Sequence, residues 1–199
     1  DGTVQTIQIT ITGTNDGPVL SGPSPQATVS EDDSTFTFDL LSGVSDVDTI
    51  DTLSVDVSSI APVSGDASGI GINTDGTLSV DPNAYTHLPV GTDEVVTFGY
   101  LVEDGNGGSV EQTATITITG ADDTPLIEGD STGSVTEDAS LTAYGQLTIT
   151  DPDTGESSFQ AATVEGDYGT LDIDSSGSWT YTVYNNLEAV QSLAAGQVL

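Results

Sequence analysis

Four short acidic stretches hold the chemistry this sequence can offer. Asp46-Val47-Asp48 and Asp151-Pro152-Asp153 each set two carboxylates one residue apart, which on an extended loop aims both at the same side. Asn15-Asp16 and Asp122-Asp123 stand just before Pro18 and Pro125 in short polar segments. Carboxylates with a neutral Asn oxygen nearby suit calcium, which takes about six to eight oxygen ligands at roughly 2.3–2.6 Å. The chain has no Cys and one His, which argues against zinc or copper. Asp, Asn and Gly also form turns for backbone reasons alone. That is the reading for the isolated Asp75-Gly76 and for Asp174 ahead of Ser175-Ser176. The Asp-x-Asp pairs differ, because their spacing occurs twice and each has a linker Asp to match.

The charge balance sharpens the point. The 199 residues include 32 acidic residues and no Lys or Arg, for a formal charge of −32. Each carboxylate must therefore be solvated, hydrogen-bonded or bound to a metal, and no Lys or Arg ion pair is possible. Nucleic acid and anionic membrane surfaces are excluded as partners, since both need cations the chain lacks. Self-repulsion at this density opposes compaction and calls for an external divalent cation. Disorder, the usual outcome of such a charge, conflicts with alternating Ile, Val and Thr runs and regular turn signals. No apolar run is long enough to span a membrane.

The elements that must position these carboxylates come in two copies. Residues 6–20 (TIQITITGTNDGPVL) recur at 113–127 (TATITITGADDTPLI), an offset of 107 from Thr6 to Thr113. VSED at Val29 recurs as VTED at Val135, and SDVD at Ser45 as TDPD at Thr150. A period near 100 fits a β-sandwich module rather than a solenoid repeat. The fold expected is all-β, with Greek-key sandwiches of immunoglobulin or cadherin type joined end to end. Residues 1–14 read as the last strand of a preceding module, with a half-buried strand over 6–12, and 15–18 as a linker. Residues 19–120 read as a complete module, 121–125 as a second linker, and 126–199 as a module without its last strands. The chain thus reads as a piece of a longer array.

Seven strands are expected in the complete module, near 26–30, 35–40, 53–58, 69–73, 77–80, 95–102 and 110–119, with a helical turn capped by Asp81. The second module reads as strands near 133–136, 141–150, 159–165, 169–173 and 178–184, then a short helix within 185–196. An odd strand count sends the chain out at the opposite pole from its entry, so modules stack into a rod with short, stiff, proline-containing joins. The loops at 42–52 and 103–108 share the entry pole. Asn15, Asp16, Asp46 and Asp48 are thereby expected to converge at the first join as metal ligands, together with Asp104 or Asn106. Asp122, Asp123, Asp151 and Asp153 converge at the next, with Glu31 in reach of it, and Glu137 is the equivalent of Glu31 in the second module.

Glu31, Asp46-Val47-Asp48 and the NDGP linker resemble cadherin-like modules, whose calcium ligands are an early Glu, an Asp-x-Asp loop and an Asn-Asp linker ending in proline. More closely, ITITGADDTP, SVTEDASLTAYGQLTITDPDTGES and YGTLDIDSSGSWTYTVYNN resemble the VCBS-type and cadherin-like repeats of giant bacterial RTX adhesins. The first module matches more loosely and lacks the YGTLxxDxxGSWTY run. The resemblance implies type I secretion, an extracellular location, and roles in cell adhesion and biofilm. It carries over Asn15, Asp16, Glu31, Asp46, Asp48, Asp122, Asp123, Glu137, Asp151 and Asp153 as ligands of Ca2+. The glycine-rich RTX nonapeptide is absent, so no calcium β-roll is expected.

The function expected is a calcium-rigidified extender whose partners are the neighbouring modules of the same chain. An enzyme is not expected, because general acid catalysis needs a desolvated carboxyl and the one His has no partner at catalytic spacing. Two alternatives stay open. One is an adhesin module that holds glycan or protein. The other is self-association, in which a neighbouring chain completes the second module by strand addition.

Overall fold

The computed structural model describes residues 2–199; Asp1, at the head of the stretch read as a terminal strand, lies outside the described residues. The chain is all-β apart from short helical turns. It divides into two compact units. Unit one takes in the residues up to Tyr85 together with Gly91–Gly120, and unit two Thr86–Val90 and Ala121–Leu199.

Unit one contains β1 (Val19–Leu20), β2 (Gln26–Ser30), β3 (Phe36–Phe38), β4 (Val44–Ser45), β5 (Ser54–Val55), β6 (Ala61–Ser64), β7 (Ile70–Ile72), β8 (Leu78–Val80), β9 (Asp93–Glu103) and β10 (Ser109–Thr119). One sheet runs β2-β10-β9-β5, with β6 also on β9; a second runs β3-β8-β7; β1 and β4 form a short ribbon. Strand β2 lies parallel to β10, with Gln26–Ser30 opposite Thr115–Thr119. Strict alternation on the β9–β10 hairpin puts Val96, Phe98, Tyr100, Val102, Ala114, Ile116 and Ile118 in the core, joined there by Leu78, Val80 and Leu40. The Tyr100 hydroxyl donates to the Leu40 carbonyl at 2.7 Å, and burial pushes its pKa up. Gly105 and Gly107 supply the positive φ (79° and 105°) that closes the hairpin turn.

The expected strand at 53–58 is interrupted. The Asp56 carboxylate accepts from the Ser58 amide at 2.9 Å and caps a 3-10 turn, Val57–Ser59, which separates β5 from β6. The 3-10 turn Pro82–Tyr85 forms where a helical turn was expected, but Asp81 engages it through its backbone. The Asp81 carboxylate instead accepts from Thr35 Oγ1 at 3.3 Å.

The strand expected over residues 6–12 is not formed. It pairs with nothing among the described residues, and Ile7, Ile9 and Ile11 are 83%, 78% and 90% exposed. The near-identical run at 113–119 is the fully paired β10. Alternation marks a segment able to be a strand; only neighbouring strands make it one.

Unit two contains β11 (Leu126–Gly129), β12 (Thr142–Thr150), β13 (Ala162–Glu165), β14 (Gly169–Ile173), β15 (Ser178–Val183) and the short helix α1 (Glu188–Gln191). Its strands make one antiparallel sheet in the order β11-β12-β15-β14-β13. Trp179 is buried and donates from Nε1 to the Asp130 carbonyl at 2.6 Å, as a core residue. The strand expected at 133–136 is absent apart from an isolated Thr136–Ser140 bridge, and β11 was not anticipated. The matching stretch of unit one, β2, is paired only to β10, and no strand plays that part for 133–136 among the described residues. No described helix is long and apolar enough to cross a membrane.

The two copies of one sequence give a direct test. Ile118→Ala should destabilise unit one by about 2–5 kcal/mol, whereas Ile11→Ala should leave unfolding of the dilute protein unchanged. Urea titrations read by tyrosine fluorescence measure both, and equal losses would refute this assignment of the core.

Candidate metal centres

In unit one the loop after β4 folds on its own acidic side chains. The Asp48 amide donates to Asp46 Oδ1 at 2.8 Å, which turns the loop so that Asp46, Asp48 and Asp51 each bring an oxygen within 4.8 Å of the others. The linker is fastened to this loop, since the Asp16 amide donates to Asp48 Oδ2 at 2.8 Å. Beside it, Asn15 Nδ2 donates to Asp104 Oδ2 at 2.9 Å, and Asn106 Nδ2 to Asp51 Oδ1 at 2.7 Å.

Unit two repeats the pattern. The Asp153 amide donates to Asp151 Oδ1 at 3.0 Å, and the Asp123 amide to Asp153 Oδ2 at 2.9 Å. Oxygens of Asp122, Asp153 and Glu156 lie within 4.8 Å of one another. In both units a linker Asp amide binds the second carboxylate of the pair, and that residue's amide binds the first.

The electrostatics of these groups are unfavourable as they stand. Burial, then the Asp48 carboxylate, with smaller pushes from Asp46 and Asp104, hold Asp51 above the ordinary range against the Asn106 hydrogen bond. Burial, then Asp153, Asp122 and Asp151, raise Glu156. Asp46 Oδ2, Asp51 Oδ2 and Asp153 Oδ1 are buried with no hydrogen-bond partner. Buried acceptors without donors are costly, and this chain has no Lys or Arg to supply them. An all-oxygen, all-anionic donor set with orphaned carboxylate oxygens fits a hard divalent cation of the calcium type.

Asp104 behaves differently. It is 1% exposed, and its oxygens accept from Asn15, from the Asn106 amide at 2.7 Å and from the Gly108 amide at 2.9 and 3.1 Å. The Asn15 bond first, then these amides, pull its pKa down against burial. It is thus committed to fastening the linker and closing the β9–β10 turn. Glu31 follows β2 and is 1% exposed. Glu137 is half-buried in unit two, its Oε2 without a hydrogen-bond partner, and it belongs to none of the carboxylate groups. Asp51 and Glu156 were not among the ligands expected. Their signal is a third acid three residues after the pair, in DVDTID (46–51) and DPDTGE (151–156).

Residues 14–119 match the family model of the cadherin-like domain, and residues 122–195 that of the bacterial cadherin-like domain. Among solved structures, the chain is similar to Drosophila N-cadherin EC1-4 (14% identity, TM-score 0.48, covering 87% of this chain and 42% of that one). It is also similar to mouse Cadherin-23 EC22-24 (17%, 0.40, 84% and 54%) and to the human Desmocollin-1 ectodomain (14%, 0.37, 89% and 33%). The chain therefore spans between a third and about half of these structures. No curated protein matches it.

A carboxylate with a raised folded-state pKa binds its proton more tightly when folded, so its contribution favours folding at low pH and is lost as pH rises through the raised value. Asp51 and Glu156 follow that rule, and Asp104, with its lowered pKa, follows the reverse. In excess chelator at neutral pH, Asp51→Asn and Glu156→Gln should therefore raise the melting temperature, while Asp104→Leu should lower it. Calorimetry checks the signs; a loss on neutralising Asp51 or Glu156 in chelator would contradict the repulsion described here.

Proposed function

This chain belongs to the cadherin-like domain family, and on that premise we propose that it is a calcium-rigidified extender of a large bacterial surface adhesin. The observation that carries the reading is the shared fastening of linker to loop, Asp16 to Asp48 and Asp123 to Asp153. Each unit grips the segment that precedes it. In the proposal Asp46, Asp48 and Asp51, with Asn15 and Asp16 beside them, hold calcium in unit one. Asp122, Asp153 and Glu156, with Asp123 and Asp151, hold it in unit two. Glu31 and Glu137 are the early acidic ligands of this reading, and Asp104 holds the linker against the turn. Bound calcium supplies the positive charge that the sequence lacks, offsets the repulsion within each cluster and removes backbone freedom from the linker.

The role is mechanical and non-enzymatic. The reading puts the chain outside the cell, as a spacer that carries an adhesive region away from the surface, with neighbouring modules as its partners. The bacterial cadherin-like match over 122–195 supports this setting.

Thermal unfolding in calcium, in magnesium and in chelator tests the reading. Calcium at a hundredfold excess over Kd stabilises by about 2.7 kcal/mol per site, and the shift should grow with the logarithm of its concentration. Magnesium, which gives up its waters reluctantly, should do far less. The double variant Asp151→Asn/Asp153→Asn should lose the calcium-dependent rise of unit two, and small-angle scattering should show a longer particle in calcium than in chelator. Equal melting in calcium and chelator would sink the proposal.

A further inference from the structure

The turn between β9 and β10 carries a reactive dipeptide. Of the six asparagines, Asn106 alone is followed by glycine; Asn15, Asn73, Asn83, Asn185 and Asn186 precede Asp16, Thr74, Ala84, Asn186 and Leu187. A side chain on the following residue shields that residue's backbone nitrogen, and glycine has none. Asn106 is exposed, and a Cβ placed on Gly107 would meet nothing within 4 Å. Gly105 and Gly107 flank it with positive φ, at 79° and 105°, and glycine changes backbone conformation there at little steric cost. Asn73 and Asn185 are held more firmly. Asn73 Nδ2 donates to Thr77 Oγ1 at 3.0 Å. Asn185 donates to Asp138 Oδ1 at 2.8 Å and accepts from the Asp138 amide at 3.0 Å.

Asn106 also stands where a change would be felt. Its Nδ2 donates to Asp51 Oδ1 at 2.7 Å, and its backbone amide to Asp104 Oδ1 at 2.7 Å. Asp104 in turn takes Asn15 of the linker, at 2.9 Å, and the Gly108 amide. The clasp on the linker therefore depends on the backbone of residues 104–108 keeping its length and shape.

We propose that Asn106-Gly107 is a self-modification site whose co-reactant is water and whose product loosens the clasp of Asp104 on the linker. The Gly107 nitrogen attacks Asn106 Cγ. The bond from Cγ to Nδ2 breaks, the Gly107 proton passes to the departing nitrogen, and ammonia leaves behind a succinimide ring. Water then opens the ring, so the amide is exchanged for a carboxylate with no change of oxidation state. Opening at Cγ gives Asp at position 106. Opening at the main-chain carbonyl gives isoaspartate, with the chain routed through Cγ and longer by a methylene. The Gly107 amide also bonds to Asp104, so attack follows a brief opening of the turn. Opening at Cγ sets a carboxylate where Nδ2 faced Asp51 Oδ1, which exchanges an attraction for a repulsion. Isoaspartate removes that donor too, and it lengthens the turn and draws the 106 and 108 amides off Asp104. The chemistry is independent of calcium.

Ageing the chain in chelator at mildly alkaline pH tests this, with peptide mapping by mass spectrometry and isoaspartate detected by enzymatic methylation. Asn106 should convert several-fold faster than any other asparagine, mostly to isoaspartate. Hydrogen exchange at the Asp16 amide, next to Asn15, should be faster in the aged chain than in the fresh one. Asn106→Gln, whose longer side chain closes a ring far more slowly, should keep the fresh rate after the same ageing. Conversion that begins at another asparagine, an Asn106 that stays intact, unchanged exchange at Asp16 after conversion, or an equal rise in aged Asn106→Gln would each overturn the proposal.

Discussion

Thirty-two carboxylates and no lysine or arginine leave this fold without Lys or Arg ion pairs, and its polar architecture follows from what else a carboxylate can bind. Many of the acids turn inward on the backbone. Asp75 accepts from the Thr77 amide and hydroxyl, at 3.1 and 2.7 Å. Asp174 accepts from the amides of Ser176 and Ser178, at 2.8 and 3.1 Å. Both pKa values are lowered by these bonds, the hydroxyl contact first in each case. Such acids hold turns in place and stay charged. Asp51 and Glu156 lie at the other extreme, crowded by carboxylates and held above the ordinary range. The direction of the shift separates shape-holding acids from acids that lack a counter-charge.

The linker joins these two classes. At the entry of unit one, Asn15 grips Asp104, which is fully committed to hydrogen bonds, while the Asp16 amide grips Asp48 in the crowded cluster. A cation at the cluster would then act on a backbone already in position. The long β9–β10 hairpin supplies the rigid base, because its turn presents Asp104 and Asn106 and its buried rows fix the turn's height above the core.

Sequence pattern revealed the elements that depend on their own residues and missed those that depend on neighbours. The alternation of 95–102 and 110–119 read correctly as strands because half of each is core. The same alternation at 6–12 and the β-prone run at 133–136 misled, since neither has the strand beside it that pairs β10 or β2. At 53–58 a local contest decided the outcome, with the Asp56 carboxylate capturing the Ser58 amide and breaking the strand. The acidic pairs and linker acids were legible from spacing. Asp51 and Glu156 were passed over because the reading stopped at two carboxylates, although a third follows at the same interval in both loops.

The units also differ in how far the sheet beneath the acidic loop is covered. In unit one the acidic loop sits over a closed sandwich, with core residues of β9 and β10 largely sealed from solvent. In unit two the sheet face is only half-covered, yet the linker-to-loop hydrogen bond is 2.9 Å against 2.8 Å, and the pair closes on itself in the same way. The centre is therefore assembled from contacts local to loop and linker, fixed by the turn that each Asp-x-Asp pair makes on its own amide. A site built this way needs little from the sandwich beneath it except a place to stand. One acidic motif thereby stands on two modules whose sheets are covered to different extents.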